Sequence, residues 1–213
     1  MCVSPVALSA RRRGRQRLGR GGARDRDGIG LRLGVSQIAE QGAFMGMTAA
    51  GAFETPADAA ISTMALSGSA ALSENLKLFG GLEYGLARAG ATGGYVAGVE
   101  GATFSGFQLG VAASEIMQAG DTLTMTVSQP LRVETGTMSF DLPVGRLADG
   151  TIVYDRVTGG LAPSGRQIDL GMAYSFVPNP LGEIELGFVY SLDAGHVAGR
   201  EAAALAAAYK QAF

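Results

Sequence analysis

Tryptophan is missing from this 213-residue chain, cysteine and histidine occur once each, and charged residues reach only 17%. Each scarcity excludes something. Cys2 alone permits no intrachain disulfide. With His196 as the one imidazole, a transition-metal site would need carboxylates almost alone, so neither metal nor cofactor is expected. No apolar run reaches the roughly 18 residues of a membrane-crossing helix. The low charge also sits poorly with an ordinary soluble domain. The serine elbow G-x-S-x-G and the phosphate-cradling P-loop are both absent. The short apolar stretch Val3 to Ala10 precedes the arginines instead of following them, which is the wrong order for a signal peptide.

What is abundant is glycine, 33 residues, within a 47% hydrophobic composition. In a strand-rich chain glycine marks turns, bends and close backbone approaches. Charge is unevenly divided. Residues 1–27 hold eight arginines against Asp25 and Asp27, while the remainder holds nine basic and seventeen acidic residues. Residues 1–28 therefore read as a disordered Arg/Gly-rich tail or a segment ahead of the true start, and residues 29–213 as the folded domain. No nucleic-acid partner is expected of that acidic domain.

The strongest positive signal is alternation with a period of two. Leu123, Met125 and Val127 interleave with Thr122, Thr124, Thr126 and Ser128. Ile168, Leu170, Met172, Tyr174 and Phe176 repeat the rhythm, as do Ile184, Leu186, Phe188 and Tyr190. Successive side chains of a strand point to opposite faces, so each segment has one apolar and one polar face. Strands are expected over about ten segments: 43–53, 59–70, 75–89, 100–114, 121–132, 136–144, 151–158, 165–177, 181–192 and 201–213. Several match the roughly 9–11 residues a tilted strand needs to cross a bilayer. The expected fold is all-β, an antiparallel up-and-down transmembrane β-barrel. Asp149-Gly150 between two alternating runs is a hairpin signal. Residues 201–210 are ambiguous, because their alanines favour a helix while Leu205, Tyr209 and Phe213 fit one face of either element.

Lys77, Glu83, Asp169, Glu183 and Glu185 fall on the wet faces and are expected to line an interior. Turned outward at mid-bilayer, a lysine would cost about 2–4 kcal/mol. Tyr84, Tyr174, Phe176, Phe188, Tyr190, Tyr209 and Phe213 fit an aromatic girdle. No catalytic residue is expected. Ser62-Thr63-Met64-Ala65 looks only superficially like a subtilisin serine motif, with its residues transposed, and His196 sits in a turn between strands.

The ending Tyr209-Lys-Gln-Ala-Phe213 resembles the C-terminal signature of outer-membrane barrels, read by the barrel-assembly machinery. The strings QPLRVETG (129–136), LPVGR (142–146), APSGRQIDL (162–170) and DAGHVAG (193–199) are more specific. Together they resemble the C-terminal barrel of autotransporter-like subtilisin-family serine peptidases, from about residue 40 onward. That resemblance implies a twelve-stranded barrel in the outer membrane of a bacterium, anchoring or exporting a peptidase passenger not contained in this chain. Its implied partners are outer-membrane lipid, the assembly machinery, which would read Tyr209 and Phe213, and the passenger polypeptide. The alternative is a soluble β-sandwich interaction module whose apolar faces pack sheet on sheet.

Overall fold

The computed structural model describes residues 17–23, 28–41, 51, 58–89, 94–179 and 182–211. These form one antiparallel sheet of ten strands. In chain order they are β1 (Arg17–Ala23), β2 (Ile29–Gln41), β3 (Asp58–Ser73), β4 (Leu76–Ala89) and β5 (Val96–Ser114). There follow β6 (Thr122–Arg146), β7 (Ile152–Gly160), β8 (Ile168–Asn179), β9 (Gly182–Leu192) and β10 (Ala202–Gln211). Neighbours in sequence are neighbours in the sheet, except that β7 pairs only with the far half of β6.

The sheet is open and not the closed barrel expected. β1 and β10 end the path of paired strands, and β7, paired only with β6, lies off it. The path between them has nine strands, each antiparallel to the next, so β1 and β10 run in the same direction. An antiparallel seam between these two edges is therefore geometrically forbidden.

Other differences from the expected strands have local causes. The segments 121–132 and 136–144 are one continuous strand, β6, bent by an irregularity instead of broken by a turn. From Phe107 to Ser105 the partner on β6 advances from Gln129 to Arg132, so β6 carries an extra residue at Pro130 and Leu131. Proline, which has no N–H to donate, is tolerated at such a bulge. β2 was not expected, although Ile29, Leu31, Leu33 and Val35 alternate along it. The expected strand 43–53 lies almost wholly outside the described residues. Within the Arg/Gly-rich segment read as a tail, Arg17–Ala23 form β1 against Leu31–Gln37 of β2. Residues 202–211 are a strand, with an unbroken ladder to β9 from Ala202 opposite Ser191 to Gln211 opposite Gly182. Pairing outweighs the local helix preference of alanine here.

Asp149-Gly150 turns the β6–β7 hairpin as expected. Gly150 N–H donates to Leu147 C=O, and the Asp149 carboxylate accepts from Thr151 N–H at 2.9 Å. At the β5–β6 connection, Asp121 is fully buried and caps the turn. Its carboxylate accepts the N–H groups of Ile116, Met117 and Gln118 and the Tyr174 hydroxyl at 2.7 Å.

Candidate functional site

Register extends the alternation of single strands across the whole sheet. Leu33 lies opposite Leu66, Leu66 opposite Leu82, and Leu82 opposite Phe107. Leu109 then pairs with Val127, Val127 with Leu170, Leu170 with Tyr190, and Leu205 with Phe188. One face from β2 to β10 thus carries a continuous apolar band, bordered on β5 and β6 by Ser105, Arg132 and Glu134. Its residues are left open: Leu109 is 54% exposed, Met125 55% and Leu205 85%. A large contiguous apolar surface without cover marks a site of contact with something outside the chain.

Tyr84, Tyr174, Phe176, Phe188, Tyr190 and Tyr209 all belong to this face by register. Tyr174 and Phe176 stack with centroids 5.6 Å apart, near the β5–β6 connection where the Tyr174 hydroxyl reaches Asp121. At the opposite end Tyr190 bonds Glu201. Aromatic rings with a polar tip tied down at the ends of an apolar band suit an interface between oil and water. Phe213 lies outside the described residues.

The other face carries Lys77, Glu83, Asp169, Glu183 and Glu185 together, since each shares the parity of Thr124 and Thr126 through the ladder. Sequence alternation alone had paired none of them. Lys210 joins them, 3.6 Å from Glu183 and 4.0 Å from Glu185, and Asp169 accepts from the Gln167 amide at 2.7 Å. This face also holds a small core that alternation did not reveal: Ala59, Ile61, Ala87, Val99, Ala102 and Phe104, with Ile38, Ala89, Met138 and Leu161 against it. Phe104 lies flat across Gly85, where any Cβ would overlap its ring.

The polar cluster of greatest detail fills a gap in the edge of β6. β8 pairs with β6 only up to Ser128, and β7 only from Thr137. Between them, the β7–β8 loop (161–167) and the β9–β10 loop (193–201) lie against this stretch of β6 and supply both backbone and side-chain partners. Arg132 donates to Gly165 C=O at 2.9 Å and Pro163 C=O at 3.1 Å. Leu161 N–H donates to Gly136 C=O. Glu134 accepts from Ser105 Oγ at 2.7 Å, from Arg132 at 2.6 Å, and from both Nη atoms of Arg166 at 2.7 and 3.0 Å. Arg166 also reaches the Gln129 side chain.

The two loops are stitched to each other as well. Asp193 accepts from Gly199 N–H and Arg166 N–H, which lower its carboxyl below the usual range. Gln167 Oε1 accepts from Gly195 N–H at 2.6 Å. Gly165 approaches the Val197–Ala198 peptide so closely that a Cβ would strike backbone. His196 accepts Gln167 N–H at Nδ1, 3.0 Å away, and its Nε2 lies 3.2 Å from Leu131 C=O. Three of the four strings singled out in the sequence thereby meet at one point, while LPVGR lies farther along β6 in the hairpin with β7. Ser105 lies outside those strings, and nothing local distinguishes it before the strands are aligned. Ser62 sits mid-strand in β3, opposite Gln37 and Leu86. Among the described residues there is no group of three or more metal-binding side chains.

No protein-family model matches the chain, and no curated protein or solved structure matches it either.

Proposed function

We propose that this chain is a translocator-like wall segment of a bacterial outer-membrane β-barrel, anchoring or exporting a subtilisin-like passenger carried elsewhere. The observation that carries the reading is the uncovered apolar face spanning β2 to β10, on a sheet whose opposite face is polar and has a core of its own. Water penalises each exposed apolar square ångström by about 25 cal/mol, so a face this size calls for a cover. Hydrocarbon covers it without requiring any shape from the protein, and it suits strands whose backbone groups are paired within the sheet.

The work such a wall performs is physical. Lipid takes the apolar face, and Lys77, Glu83, Asp169, Glu183 and Glu185 line the water-filled side along which a passenger would pass. Closing the wall requires an odd number of further strands between β1 and β10, each antiparallel to its neighbours. The twelve strands that the family resemblance implies would require three beyond the nine on the path, an odd number. No nucleotide or cofactor enters.

Spin labels at Met125 and Leu186, after refolding into lipid vesicles, test the reading. Both are expected to collide with lipid-soluble oxygen and to be sheltered from a water-soluble nickel complex. Labels shielded from both reagents would mean that protein covers this face, as in a sandwich, and would overturn the proposal.

A further inference from the structure

We infer that His196 is a proton-sensitive latch that fastens the β9–β10 loop to the gap in β6. The argument rests on the polarity of its hydrogen bonds. Nδ1 receives the Gln167 N–H, so this nitrogen carries no proton. Nε2 faces the Leu131 carbonyl, which only an N–H can satisfy. The ring is therefore held as the neutral Nε2–H tautomer. Its own carbonyl takes the Gly165 N–H at 2.8 Å, so one residue ties together β6, the β7–β8 loop and the β9–β10 loop.

A second proton on the ring would set N–H against N–H at Gln167, and the ring would have to leave. The loop stores a reason to let go. His196 and Asp193 both hold left-handed backbone conformations, at φ of 59° and 48°, which non-glycine residues adopt at some cost. The charged groups on the elements packed against His196 are Arg132 and Glu134 on β6, Arg166 in the β7–β8 loop, Asp169 at the start of β8, and Asp193, Arg200 and Glu201 on its own loop. Most are already matched, Glu134 with both Arg132 and Arg166, Asp193 with backbone amides, and Glu201 with Tyr190. The switch therefore lies in the direction of the two ring hydrogen bonds and not in a net field. Loosening would free the 193–201 loop while leaving the β9–β10 ladder paired.

The latch does not depend on what covers the apolar face. Its test uses the full chain refolded in detergent with Cys2→Ser and a nitroxide on Val197→Cys, a half-exposed loop position. Acidification from about pH 8 to about pH 5 should raise the mobile spectral fraction about twofold or more, reversibly. In a His196→Gln background that response should vanish, and in His196→Ala the label should be mobile at both pH values. A fraction that stays constant with pH in the His196 protein, or an equal rise in His196→Gln, would overturn the inference.

Discussion

The two faces of the sheet contain similar residues under opposite conditions. On β5, Phe104 is 2% exposed while Leu109, five residues away on the other face, is 54% exposed. On β3, Ile61 is 8% exposed and Met64 49%. The difference cannot lie in hydrophobicity, because apolar side chains occupy both sides. It lies in what each face meets. One side has Gly85, Ala87, Ala102 and the incoming Leu161 to close over it, and the other meets no part of the described chain. The apolar side chains of one face thus stabilise the fold by packing, while those of the other depend on the surroundings.

The largest break in this comparison should come from a charge in the middle of the uncovered face. Met125→Arg is expected to cost about 2–4 kcal/mol of stability in lipid and to block insertion, whereas Thr124→Arg, one residue away on the polar face, should still refold. Urea titration of the refolded protein in vesicles reads both. Next, Phe104→Ala should lose about 3–5 kcal/mol in any solvent, because it leaves a cavity over Gly85. Phe107→Ala on the opposite face should lose much less in detergent, since its surroundings can refill. Equal losses for the two would erase the distinction between the faces.

A smaller effect sharpens the comparison at the β6 gap. Glu134 accepts hydrogen bonds from Ser105, Arg132 and Arg166. Removing its charge weakens all of these charge-assisted bonds at once. Glu134→Gln should lower stability by about 1–3 kcal/mol in a urea titration followed by circular dichroism. Smallest of all, Lys210→Ala should change stability by about 0.5 kcal/mol or less, because its ion pairs with Glu183 and Glu185 are long and half-exposed.

Much of the sheet was legible because strand geometry is local. Leu123, Met125 and Val127 declare their faces without any knowledge of the neighbouring strand, and the same holds for β8 and β9. β2 escaped notice because its alternation follows directly on an arginine- and glycine-rich stretch whose composition reads as a tail. β6 was split in two because a bulge and a turn interrupt the period in the same way. At the β6 gap the strings stood out, but the bonds joining them did not. Glu134 and Arg166 are 32 residues apart, and His196 and Leu131 are 65 apart.

By itself, the sequence determined that these segments are strands and which side of each is apolar, since a period of two is a property of the extended backbone alone. Only the tertiary structure decided that the edges remain apart and that His196 meets Leu131. Those outcomes depend on register and on the parity of strand directions. Both are fixed by summed pairing across the sheet, so no single segment carries them.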